Sequence, residues 1–195
     1  MPRRERELED GGIYHVYNRG NNRKVLFRNA DDFAVFRELW IKAKERYDFR
    51  IYHYGWMSNH YHVLLRIGSG KDLSRLLHWV QLGYARYLKK KYKAVGRFFQ
   101  ERYRSPRIPA ESYYLQCGRY IERNPVVAGM VSKAGRYEYS SAAYDAIGKA
   151  DILVTEDLYY AQMGRTAEER QQAYRKFLSL EDPYRGMVDE ALVKV

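Results

Sequence analysis

The run Trp56–Ile67, WMSNHYHVLLRI, constrains the fold more than any other stretch. Tyr61, Val63, Leu65 and Ile67 fall at every second position, the period of a strand with one buried face. His60 and His62 then lie on the opposite face with Leu64, because side chains at i and i+2 point to the same side of a sheet. Two imidazoles side by side are an unusual content for a strand face. They make either half of a metal site or two ordinary hydrogen-bonded polar residues.

Helical and strand periods alternate around this strand. Ile13 to about Asn18 reads as a first strand, followed by the polar turn NRGNNRK. Asn29 is a natural N-cap, with Asp31 and Asp32 in the first turn. Phe33, Phe36, Trp40 and Ala43 give the helix after it an apolar stripe. FRIYHYGWM is a second strand, joined tightly through Ser58 and Asn59 to the histidine strand as its antiparallel neighbour. A long helix follows, with Leu73, Leu76, Leu77, Val80, Tyr84 and Leu88 on one face. AVGRFFQERYRSPRI reads as irregular or as a short strand, and 97–104 is the candidate fourth strand. In the next helix, Glu111 sits in the first turn and Pro125 is expected to end it. Residues 152–154 read as a small strand, 156–164 and 166–180 as short helices, and DPYRGMVDEALVKV as a last one. The order β-α-β-β-α predicts an α+β fold: a ferredoxin-like or RRM-like antiparallel sheet with helices on one face. The histidines then belong to the other, open face.

Charge is distributed unevenly. The chain of 195 residues carries a formal net charge of +11. Residues 71–110 hold eleven Lys/Arg against two Asp/Glu, whereas residues 151–195 hold six against nine. The middle of the chain is the expected polyanion surface, and the acidic tail is not. KKKYK, at the end of the long helix, reads as a solvated terminus. NRGNNRK and RFFQERYRSPR mix arginine with amides and aromatic rings, a combination that grips phosphates and stacks on bases. Arg19, Arg23, Arg102 and Arg104 are the first candidates for nucleic-acid contact, with Lys24 and Arg97 behind them. Phe98 and Phe99 are either wedges or core. Cys117 is alone, which excludes an intramolecular disulfide and a thiolate zinc cluster. The charged N-terminus is not a signal peptide, and no apolar run is long enough to span a membrane, so a cytoplasmic location is expected.

Two histidines do not complete a metal site. Asn124 offers a third donor, and Tyr120, four residues earlier, lies on the same helical face one turn away. A ligand and a phenol on one face can address the same phosphate. Tyr113 and Tyr114 share that helix, and Tyr113 is the rival to Tyr120. Asn124 also has a structural alternative in fixing the turn before Pro125. His15 and His53, on neighbouring strands, read as packing residues or as supports behind the ligands.

Several spaced segments resemble one family. YHVYNRGNNRKVLF, WMSNHYHVLL, GRFFQERYRS, YLQCGRYIERNPVVAGMV and YEYSSAAYD are similar, in that order, to segments of the single-tyrosine HUH transposases (IS200-like). The similarity is greatest to the subgroup associated with repetitive extragenic palindromes, the REP-associated tyrosine transposases, and it covers roughly Gly11 to Tyr144. It implies that His60 and His62 bind a divalent metal, Mg²⁺ or Mn²⁺, with Asn124 as third ligand, and that Tyr120 is the nucleophile. The implied substrate is single-stranded DNA beside an imperfect palindrome or hairpin. The implied reaction is cleavage and rejoining through a 5′-phosphotyrosine, by a monomer or a homodimer. Where the family often has histidine, in a run like YIHLNP, this chain has Glu122. Residues 1–150 are expected to form the transposase domain and 151–195 an acidic, mainly helical extension. A non-catalytic hairpin-binding or regulatory protein on the same scaffold is the competing expectation.

Overall fold

The computed structural model describes residues 8–109, 111–156, 158–180 and Gly186. The chain runs through β1 (Ile13–Arg19), α1 (Ala30–Ala43), β2 (Phe49–Met57), β3 (His60–Ile67), α2 (Gly70–Tyr92) and α3 (Glu111–Val127). Three shorter helices follow, α4 (Ala142–Ile147), α5 (Leu158–Ala161) and α6 (Ala167–Ser179). The three strands form one antiparallel sheet in the order β1-β3-β2, so the histidine strand is central. The fold is α+β, with a small antiparallel sheet and helices, as the ferredoxin-like reading requires.

The alternation in β3 separates two cores. Tyr61, Val63, Leu65 and Ile67 pack with Phe36, Trp40, Leu76, Leu77, Val80 and Tyr84 of α1 and α2. Each such side chain contributes about 1.5–3 kcal/mol on full burial, so this layer supplies most of the fold's apolar stabilisation. Leu64 faces the other way, into a smaller cluster with Tyr114, Cys117, Tyr120 and Ile121 of α3. That second face is therefore covered by α3 rather than left open. The start of α1 is tied to the end of α2. Asp32 accepts hydrogen bonds from the backbone N–H of Arg28, from the hydroxyls of Tyr87 and Tyr92, and from Lys91. Lys91 of the KKKYK run is thus a structural contact.

A bulge in β2 decides what faces α3. Ile51 pairs with Leu65 while His53 pairs with Leu64, leaving Tyr52 as the extra residue. The shift resets the alternation. Ile51, Tyr54 and Trp56 all reach the α1/α2 core, and Tyr52 and His53 are turned toward α3. A bulge has no signature in FRIYHYGWM.

Three local expectations are decided or corrected. Of the two readings of segment 97–104, the irregular one holds and the strand does not. The segment runs antiparallel along β1 through isolated pairings, Gly20 with Phe99 and Tyr17 with Arg104, and hydrogen bonds continue as far as Ile108. Pro106 has no N–H to give to a continuous ladder, and the chain bends at residues 100–102 between the two pairings. Residues 152–154 form a turn with one parallel bridge, Ile51 to Val154, instead of a strand. Pro125 does not end α3, which continues to Val127. The N–H that proline lacks would have bonded to the Ile121 carbonyl, and that carbonyl lies against Gly55 of β2. The expected helix in DPYRGMVDEALVKV lies, apart from Gly186, outside the described residues.

Helix α3 approaches the sheet unusually closely. A Cβ on Gly55 would lie 2.8 Å from the Ile121 carbonyl oxygen, and a Cβ on Gly118 2.7 Å from the His53 ring. In an ordinary helix Gly→Ala stabilises by about 1 kcal/mol. At position 118 the sign should reverse, because the methyl must displace a buried imidazole. Gly118→Ala is expected to destabilise by about 1–3 kcal/mol, the usual cost of overpacking, in urea unfolding. An unchanged or raised midpoint would show that α3 is not held this close.

Candidate active site

Five side chains from three elements meet on the α3 face of the sheet. β3 supplies His60 and His62, β1 supplies His15, and α3 supplies Tyr120 and Asn124. The antiparallel pairing of β1 with β3 brings His15 next to His62, with His15 Nε2 2.9 Å from His62 Nδ1 and the rings stacked at 5.1 Å. The Tyr120 ring stands edge-on to His62 at 5.4 Å and to His15 at 6.1 Å. His60 and His62 rings are 5.1 Å apart and nearly perpendicular. Asn124 hydrogen-bonds the His60 ring, and His60 Nδ1 lies 2.7 Å from Asn59 Oδ1. Tyr120 is buried with 2% of its surface exposed, whereas Tyr113 is 38% exposed on the same helix. Geometry thus separates the two tyrosines that spacing alone left as rivals.

Burial sets the electrostatics here. It pushes the pKa of His60 down to about 4; the Asn124 hydrogen bond opposes the shift and the Arg19 charge adds to it. Burial alone lowers His15 to about 3. His62 is held well below its ordinary value by burial first, then by His60 and His15. All three rings are neutral at pH 7, and neutral imidazole is the form that binds metal. Among the described residues His62 Nε2 has no hydrogen-bond partner, although it is fully buried. A buried, unsatisfied nitrogen costs free energy.

The arginines form a rim. Arg19 ends β1 directly opposite His60, and its Nε donates to the Gln100 side chain. Arg23 and Lys24 are exposed on the tight turn after β1, where Asn22 and Arg23 both adopt left-handed backbone angles. Arg97, Arg102 and Arg104 are exposed along the segment pinned to β1, with Arg104 4.0 Å from Glu101. Phe98 and Phe99 are half-buried against the main core, which favours the core reading for both.

The sequence reading underestimated two residues. His15 touches both His62 and Tyr120, and only the strand register could have revealed it. Glu122 is fully buried on α3, where it organises a network. His53 Nδ1 lies 2.9 Å from Glu122 Oε1, Ser141 Oγ donates to the same oxygen at 2.6 Å, and the Tyr174 hydroxyl donates to Oε2 at 2.7 Å. With Asp145, His53 and Glu122 make a buried trio whose donor atoms lie within 4.8 Å of one another, so the chain does contain a cluster capable of holding a metal ion. Both Glu122 oxygens already accept hydrogen bonds, however, which makes the trio a good structural joint.

The model of the family described as "Transposase IS200 like" matches residues 10–124. The chain belongs to the IS200-like transposase family. The matched span begins just before β1 and ends at Asn124, so it takes in every candidate site residue from Arg19 to Asn124 and leaves the chain beyond α3 outside. A solved REP-associated tyrosine transposase, bound to a REP hairpin, is similar over 81% of this chain and 93% of its own, with a TM-score of 0.65 and 21% identity. That likeness is one of fold. A putative transposase from Deinococcus radiodurans R1 is more distant, at 15% identity and a TM-score of 0.42, over 62% of this chain and 96% of its own. No curated protein matches the chain. Membership of the family supports transposase activity. Among the described residues no helix is long and apolar enough to cross a membrane.

Lowered histidine pKa values have a consequence for stability. Between about pH 3 and 6.5 the unfolded chain binds protons at His15 and His60 that the folded chain does not, so stability rises with pH through this window and levels off above it. Each group costs about 1.4 kcal/mol per pH unit below 6.5. Thermal melts are expected to fall by several degrees between pH 7 and pH 5.5. A flat melting temperature over that range would contradict the buried, neutral histidines.

Proposed function

We propose that the chain is a transposase of the REP-associated type, which cuts and rejoins single-stranded DNA beside a hairpin through a 5′-phosphotyrosine on Tyr120. The observation that carries this reading is the convergence of Tyr120, His60, His62 and Asn124 at one end of β3 and α3. His60, His62 and Asn124 would hold a divalent cation, Mn²⁺ or Mg²⁺, with imidazole nitrogens suiting Mn²⁺ better. Bound there, it would polarise the scissile phosphate and neutralise the charge that develops on it.

The chain's own groups do the rest. Tyr120 Oη attacks phosphorus and forms the O–P bond while the bond to the 3′ oxygen breaks. The phenol gives up its proton, and the leaving oxygen takes one to become a 3′-OH. Attack by a DNA 3′-OH on the phosphotyrosine reverses these roles and rejoins strands. One phosphodiester is exchanged for another, so no energy source is needed. Arg19, at the mouth beside His60, is placed to hold a phosphate adjoining the scissile one. Arg23, Lys24, Arg97, Arg102 and Arg104 continue the cationic rim over which the rest of the DNA would lie. Tyr120 is buried, so the scissile phosphate would reach its hydroxyl through a local displacement around α3.

The test uses purified protein, Mn²⁺ and a pool of single-stranded hairpin oligonucleotides, with denaturing gels and mass spectrometry of any shifted band. Wild-type protein is expected to give a DNA adduct on Tyr120. Tyr120→Phe should bind hairpins within a few-fold of wild type and yield no adduct; His60→Ala with His62→Ala should abolish Mn²⁺-dependent cleavage. An adduct that persists in Tyr120→Phe would remove Tyr120 as nucleophile. Hairpin binding with no adduct on any sequence would leave a non-catalytic binding module.

A further inference from the structure

We propose that the exposed run 127–130, at the end of α3, is a base-contacting surface: an unpaired nucleobase next to the cleaved phosphodiester lies against Val127 and Met130. The inference rests on reading Tyr120 as the nucleophile, and it names which part of the DNA meets which part of the mouth.

Tyr120, Asn124 and Val127 stand at i, i+4 and i+7, which is one stripe of a helix. Exposure rises along it. Tyr120 is buried, Asn124 is half-buried and Val127 is 43% exposed. Helix α3 runs in the same direction as β2, with Gly118 against His53 and Ile121 against Gly55. Asn124 therefore meets His60 where the strands end. Val127 follows about 4.5 Å further along the helix axis, outside the sheet. The face that carries the candidate site continues into solvent, and its first residue there is aliphatic.

A single exposed valine means little. Here four consecutive exposed residues, Val127, Ala128, Gly129 and Met130, bring no polar side chain, in a chain of which 30% is charged. Such a run is unfavourable on a surface unless something binds it. Val126, next to it, packs against the cluster of Ala134, Ala142 and Tyr174, whereas Met130 is left 47% exposed. The run is also held in shape. Gly129 adopts φ 70°, in the left-handed region. Its N–H donates to the Val126 carbonyl, and that of Met130 donates to the Pro125 carbonyl. This is the closing pattern of a helix that ends on glycine. The pattern often places an apolar residue where Met130 stands, to touch the last turn, but it does not account for Val127.

Charge selects the occupant. There is no acidic residue from 123 to 136, and Arg123, Lys133 and Arg136 bound the apolar run. Arg123 lies four residues before Val127, on a neighbouring row of the helix, and its Nη1 has no hydrogen-bond partner among the described residues. An apolar surface between cations suits a single strand, whose phosphates take the charges while a base takes the aliphatic contact. A second copy of the chain would bring its own net charge of +11 against those cations. Arg19 stands on the His60 side of the mouth and Val127 on the α3 side. A strand passing Tyr120 would then have a phosphate on one wall and a base on the other.

The test is a double-mutant cycle between protein and DNA. The oligonucleotide is the one on which the Tyr120 adduct maps, either intact or with an abasic site at each of the positions flanking the cleaved bond in turn. The protein is wild type or Val127→Ala with Met130→Ala, in Mn²⁺. The readouts are the apparent second-order rate of adduct formation, the melting temperature and the mass in solution. The double variant should melt within a few degrees of wild type and form adduct about three- to tenfold more slowly on intact DNA. On DNA lacking the one base that the run contacts, the two proteins should react equally fast. Val127→Thr with Met130→Gln keeps the volume and loses apolar surface; it serves if the alanine variant does not fold, and should show the same coupling. Adduct formation by wild type with no coupling at any flanking position would overturn the base contact and leave the Tyr120 reading standing. So would a wild-type dimer that the alanine variant splits into monomers, since a second copy would then cover the run. No adduct from wild type on any DNA would overturn the Tyr120 reading and the base contact with it.

Discussion

Everything near the candidate site depends on how close α3 comes to the sheet. A helix normally rests on a sheet through side chains that keep the two backbones well apart. Here Gly55 and Gly118 remove the atoms that would hold α3 away, and the Ile121 carbonyl and the His53 ring occupy the space. The short distance brings Tyr120 onto the rings of His15 and His62, and Asn124 onto His60. Had either glycine been alanine, a rise of a few tenths of an ångström would be spread over the whole contact. Catalytic geometries are sensitive on about that scale.

The same closeness buries three imidazoles. An unpaired buried polar group is costly, and the chain compensates by pairing the rings with each other and with Asn59 and Asn124. Among the described residues His62 Nε2 is left without a hydrogen-bond partner. A fold optimised only for stability would have filled that position with an apolar side chain or supplied a donor. Locally unsatisfied groups of this kind gather where binding must occur, because the ligand then recovers the free energy that folding gave up.

Much of this was legible in the sequence, and the limits have physical causes. The period of β3 correctly assigned Tyr61, Val63, Leu65 and Ile67 to one core and His60, His62 and Leu64 to the other face, because a two-residue repeat leaves no freedom. The stripes of α1 and α2 were legible for the same reason. What failed depended on register or on a partner far away in the chain. The bulge at Tyr52, which turns His53 toward α3, is a property of two paired strands. The β1 register that sets His15 against His62 is fixed by pairing across 47 positions. The edge segment 97–104 has residues that suit a strand, but the bends at residues 98 and 100–102 leave only separate bridges. At the site, i to i+4 spacing placed Tyr120 and Asn124 on one face; it could not say that Tyr113 would be the exposed tyrosine.

Glu122 shows how a departure from a family pattern can be absorbed elsewhere in a fold. It stands between Tyr120 and Asn124 in sequence but points to the opposite side of α3, since two residues turn a helix through about 200°. There its two oxygens collect His53 of β2, Ser141 beside α4 and Tyr174 of α6. The acidic end of the chain is thereby joined to the helix that carries the candidate nucleophile. Other contacts also cross residue 150. Leu153 is fully buried in the main core, Asp151 is paired with Arg37 at 2.6 Å, and Tyr174 and Leu178 pack with Ala134, Ala142 and Ala146. A buried polar network is worth its cost only when every member is satisfied. Glu122 reaches that condition by drawing partners from before and after α3, so the position of Tyr120 on one side of the helix is fixed in part by hydrogen bonds made on the other.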